Sequence, residues 1–83
     1  MDNQPKISET ELMNLCASAL GPESSVEWGA FFRTCIRGNG QYPGKPEKVR
    51  RVMLELDRVQ KEGRIKVRNP GAFAYDLYKR FSD

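Results

Sequence analysis

The sequence predicts an α+β fold in one domain: three helices, then a two-stranded β-hairpin. Three observations carry that expectation. Apolar residues recur at helical spacing in three successive stretches, near 9–20, 26–37 and 45–63. Each stretch is closed by a helix-stopping signal, at Gly21-Pro22, Gly38 and Gly63. After Gly63 the period drops to two, as strands require.

At 83 residues the chain has room for one small core and little for a deep catalytic cleft. A hydrophobic share of 39% is enough to fold, which argues against general disorder. No apolar run is long enough to span a membrane and no signal segment opens the chain, so a soluble, cytoplasmic protein is expected. Residues 1–7 are expected to form a flexible tail and 8–83 the domain.

The first helix opens on Ser8 as N-cap, with Glu11 three residues on for a capping box and Ile7 with Leu12 for a hydrophobic staple. Leu12, Met13, Leu15, Cys16, Ala19 and Leu20 make its apolar face. Ser24 with Glu27 repeats the cap spacing before a second helix, whose face is Trp28, Phe31, Phe32, Cys35 and Ile36. A short strand over residues 25–27 before a shorter helix is the alternative. Residues 38–45 (GNGQYPGK) read as a connector. They do not make a phosphate-cradling loop, because Gly44-Lys45 is followed by Pro46 and not by Ser or Thr. Pro46 suits the first turn of a third helix. There Val49, Val52, Met53, Leu56 and Val59 form one buried stripe, opposite Arg50, Arg51, Leu54, Arg58 and Lys61, with Lys48 at the edge.

In the hairpin, Ile65 and Val67 alternate with Arg64, Lys66 and Arg68. Asn69-Pro70-Gly71-Ala72 fits a reverse turn, and Phe73, Tyr75 and Leu77 alternate along a return strand. A short helix over 75–81 is the alternative.

Composition excludes much chemistry. With no His and two isolated cysteines, a zinc site has almost no ligands, and no Cys–His or Ser–His–Asp nucleophile can form within the chain. Cys16 and Cys35 read as reduced core thiols. No enzyme, cofactor or metal is expected. The charge is more informative. Residues 45–68 hold nine Lys or Arg against four Asp or Glu, a net of +5, although the whole chain carries only +3. Such localisation suits a polyanionic partner. The competing interpretation is a solvated face: Glu47 with Arg51, and Asp57 with Lys61, are i, i+4 pairs of the kind exposed helices use.

The third helix, Gly63, the basic strand, the Asn69-Pro70-Gly71 tip and the return strand together resemble the tail of the winged helix-turn-helix superfamily, including small phage and mobile-element members. The connector at 38–45 is longer than the usual turn. The resemblance implies a DNA-binding regulator or accessory factor that lays its third helix in the major groove, with a wing on the adjacent backbone. Lys45, Lys48 and Arg51 would then lie nearest base edges, with Arg50 on the flank. Arg58, Arg64, Lys66, Arg68 and Asn69 would meet phosphates, for about four to six backbone contacts and strong salt dependence. Duplex DNA is the expected partner, at the nucleoid, with the protein a monomer or homodimer and no membrane involved. The alternative is a protein-interaction module, an adaptor or inhibitor of an acidic or nucleic-acid-binding protein, with Trp28, Tyr42 and Leu54 as anchors.

Overall fold

The computed structural model describes residues 8–82. They form three helices: α1 (Glu9–Arg37), α2 (Pro46–Glu62) and α3 (Pro70–Arg80). No strand is present among the described residues, and the single β-bridge, Gly38 to Pro43, lies in the connector. The fold is all-helical, and the expected α+β class with a hairpin wing is corrected.

α1 begins as its sequence implies. The backbone N–H of Glu11 donates to Ser8 Oγ at 3.1 Å, and the Ser8 hydroxyl donates to Glu11 Oε1 at 3.1 Å. Ile7, the expected staple, lies outside the described residues, as does the expected tail at 1–7. At Gly21 (φ 83, ψ 169) α1 breaks sharply into two arms, 9–20 and 22–37. Only glycine takes that φ readily, and Pro22 cannot supply the N–H that would continue the first arm. Donors from elsewhere satisfy its final carbonyls. Ser25 Oγ donates to the Ala17 carbonyl at 3.4 Å and Gln60 Nε2 to that of Ala19 at 2.8 Å. The second arm therefore starts at once, four residues before the expected position. Ser24 is not a cap. It is buried inside the helix, where its Oγ accepts the Gly71 backbone N–H at 3.3 Å.

α2 follows its periodicity closely. Val49, Val52, Met53, Leu56 and Val59 are its buried residues. Each such side chain contributes about 1.5–3 kcal/mol relative to exposure. The first four meet Leu12, Cys16 and Leu20 of the first arm and Phe32 and Ile36 of the second in one core. Gly63 ends the helix in the left-handed region, its N–H donating to the Val59 carbonyl at 3.3 Å.

The hairpin fails at residues 69–72. Asn69-Pro70-Gly71 can close a reverse turn or open a helix, and here it opens α3. Asn69 Oδ1 accepts the Ala72 N–H at 3.0 Å, and Pro70 occupies the first turn, where a missing N–H costs nothing. A two-stranded hairpin is marginal in water. The helix instead buries Gly71 against Trp28 of the second arm of α1 and Ala74 in the core, and lines up Tyr75 and Tyr78 one turn apart. Their rings pack on Phe31 at 5.3 and 6.1 Å between centroids, and Tyr75 packs on Trp28 at 5.5 Å. Residues 64–69, expected as strand and tip, form an irregular linker.

Candidate nucleic-acid interface

The cations expected to face a polyanion divide into three groups. The first is neutralised within α2. Arg58 bonds both Glu55 and Glu62, and Lys61 pairs with Asp57 at 2.9 Å. The hydrogen bond from Arg58 holds the Glu55 carboxyl below its ordinary range, and Glu55 in turn raises the Arg58 guanidinium. Sequence spacing foretold the Asp57 pair. The Glu55 and Glu62 pairs stand at equally regular i, i+3 and i, i+4 spacing and were missed.

The second group lies at the start of α2, and two of its members, Lys48 and Arg51, turn toward α3 and the residues that follow it. Arg51 was expected to pair with Glu47 or to read a base edge. Its Nη2 instead donates to the Ser82 carbonyl at 2.7 Å, and its guanidinium carbon stands 6.0 Å from the Phe81 ring centroid. Lys48 Nζ sits 4.3 Å from the Tyr78 ring centroid. Lys45 is the residue before α2, with its backbone N–H on the Cys35 carbonyl at 2.7 Å. These three do not form an open row ready for a groove.

The third group is Arg50, Arg64, Lys66 and Arg68. All four are exposed, and none forms an ion pair among the described residues. Three of them sit in the α2–α3 linker. Its course is fixed by Gly63 at one end and the Asn69 cap at the other, and Val67 packs on the core between them. The alternation seen in the sequence thus half survives: the cations point outward and Val67 inward, but Ile65 is 56% exposed. Arg68 borders a cleft of about 370 Å³ that also holds Glu23, Glu27 and the Gly21 break. Asn69, expected to contact phosphate, is occupied in capping α3.

The possible partner anchors also separate. Trp28 is packed between Gly71, Tyr75 and Phe31, and its buried indole N–H has no hydrogen-bond partner among the described residues. Tyr42 (63%) and Leu54 (43%) are exposed. Val26, absent from the expected apolar face of the second helix, is 88% exposed, and the alternative short strand over residues 25–27 does not form.

A second concavity, of about 360 Å³, lies between the 38–45 connector, the end of α1 and α3. It is lined by Phe31, Thr34, Cys35, Tyr42, Lys45 and Tyr78, with Pro43 at its edge. Of its lining, the sequence points only to Tyr42, as a possible partner anchor, because the expected return strand puts Tyr78 elsewhere. Asn39 shapes the connector: its Oδ1 accepts the N–H groups of Gln41 and Tyr42 at 2.8 and 2.7 Å, and its own N–H donates to the Tyr42 carbonyl at 2.8 Å. Cys16 and Cys35 are free thiols. Burial pushes Cys16 up to about 11 and also raises Cys35, so neither is a ready nucleophile at neutral pH. No group of three His, Cys, Asp or Glu among the described residues could hold a metal ion, and no described helix is long and apolar enough to cross a membrane.

Comparison with protein-family models, with curated proteins and with solved structures finds no match to this chain. Any functional reading therefore rests on the residues themselves.

Proposed function

We propose that the protein binds nucleic acid, DNA foremost, by its phosphate backbone, with the α2–α3 linker as the contact. One observation carries this reading. Arg64, Lys66 and Arg68 stand exposed on an anchored segment without an acidic partner among the described residues, while Arg37, Arg58, Lys61 and Arg80 are each held by a carboxylate. A cation already paired releases little counterion on meeting a phosphate, whereas an unpaired one contributes a slope of about 0.9 in log affinity against log salt. Arg50 adds a fourth. Four contacts give a slope near 3.6, so affinity should fall by about a hundredfold between about 50 and 200 mM salt. With Arg51 and Arg58 engaged inside the molecule, the contact is to backbone more than to base edges.

The test is fluorescence anisotropy of a labelled duplex at the two salt concentrations. Replacing Arg64, Lys66 and Arg68 together by Ala should reduce the slope by nearly three, and Arg58→Ala should leave it unchanged. Absence of binding to any nucleic acid at low salt refutes the proposal. The second reading, a protein-interaction module, draws on the exposure of Val26, Tyr42, Leu54 and Ile65. An acidic partner would meet the same linker, with those side chains supplying the apolar contact.

A further inference from the structure

We infer that the concavity beside the 38–45 connector takes an unpaired nucleobase, so that the preferred ligand is a single strand. The inference rests on the linker acting as a backbone contact and specifies what that backbone belongs to. Three aromatic rings, those of Phe31, Tyr42 and Tyr78, are in its lining, together with Thr34, Cys35 and Pro43. Phe31 and Tyr78 are braced edge-to-face at 6.1 Å between centroids. The Tyr42 ring belongs to none of the ring pairs among the described residues and is 63% exposed. It offers a face on which a base can stack.

The backbone that carries this ring is held in place. Asn39 fixes the backbone on both sides of the turn, and at Gly38 and Gly44 the connector passes so close to the end of α1 that a Cβ on either would strike backbone. A platform ordered before binding loses little entropy when the ligand arrives.

Size and charge select the occupant. About 360 Å³ is at the low end for a small-ligand site and suits one ring system, not the face of a partner helix. No carboxylate lines it among the described residues. Lys45 contributes a wall, and Lys48 lies over the Tyr78 ring. A planar group carrying a phosphate fits such surroundings, and an acidic or aliphatic side chain fits less well. In duplex DNA no base is free to enter, because every base is stacked and paired.

The groove and the basic linker lie at opposite ends of α2. Its 17 residues span about 25 Å, roughly seven stacked nucleotides at 3.4 Å each. A strand of about twelve nucleotides is therefore long enough to reach both.

The experiment compares three labelled probes of equal length: a thymidine single strand, an abasic single strand and a duplex. The wild type should bind the thymidine strand about tenfold or more tightly than the abasic one. Tyr42→Ala should abolish that difference without changing affinity for the abasic strand, and Tyr42→Phe should preserve it. Equal affinity for thymidine and abasic strands, or an equal loss on both in Tyr42→Ala, overturns the base site and leaves the linker reading standing. Failure to bind all three probes overturns both.

Discussion

Two glycine-to-alanine substitutions, chemically identical, should move stability in opposite directions. Gly71 is buried in the first turn of α3, and a Cβ built there would overlap Cδ1, Nε1 and Cγ of the Trp28 indole. Gly29 lies in the second arm of α1 with open space where its Cβ would point. Neither has the positive φ that would strain alanine. Alanine in a helix favours the folded state by about 0.5–1 kcal/mol over glycine, mostly by restricting the unfolded chain. That term stands alone at Gly29. At Gly71 it is opposed by about 1–3 kcal/mol for forcing a methyl group into filled space. An overlap with three ring atoms puts the cost toward the upper end, for a net loss of about 1–2 kcal/mol. In a domain this small, Gly71→Ala should lower Tm by about 5–15 °C and Gly29→Ala should raise it by about 3–6 °C. Thermal and urea unfolding followed by circular dichroism measure both. A double-mutant cycle adding Trp28→Leu isolates the collision and should return a coupling of about 1 kcal/mol or more. If Gly71→Ala is neutral or stabilising, or if the cycle shows no coupling, α3 does not pack on Trp28 as described.

Two further outcomes follow from the core. The Cys16 thiol rises from an ordinary 9.0 to about 11, which means the folded state holds its proton more tightly than the unfolded chain. Its contribution is complete below pH 9 and is lost as pH climbs toward 11, by about 2–3 kcal/mol in all. Urea midpoints at pH 8 and pH 11 should therefore fall further apart in the wild type than in Cys16→Ala, and equal slopes would refute this. Phe32 is the largest fully buried side chain among the described residues. Phe32→Ala should cost about 3–5 kcal/mol, a large part of the about 5–15 kcal/mol that holds a domain together. The expected result is loss of helical signal at 37 °C, and a destabilisation below about 1 kcal/mol would contradict the placement of the ring.

What the sequence determined alone were the features whose causes lie within one or two turns of chain. Ser8 caps Glu11, the stripe from Val49 to Val59 faces inward, Gly38 and Gly63 end their helices, and Asp57 pairs with Lys61, because each depends on neighbours three to ten residues away. Where one local signal serves two structures, the tertiary fold decided. Asn69-Pro70-Gly71 is good chemistry for a turn and for a helix start. The helix wins because it lets Gly71 approach Trp28 and reach Ser24 Oγ, 47 residues earlier, while placing Tyr75 and Tyr78 on Phe31. The same holds for charge. Counting cations along residues 45–68 located the excess, and the Arg58 pairs with Glu55 and Glu62 lie within a turn of helix, but only the packed molecule turned Arg51 onto the Ser82 carbonyl and left Arg64, Lys66 and Arg68 exposed without an ion pair among the described residues. Periodicity reports which face is apolar. It carries no information about which distant segment will cover that face, and burial is settled by the covering segment.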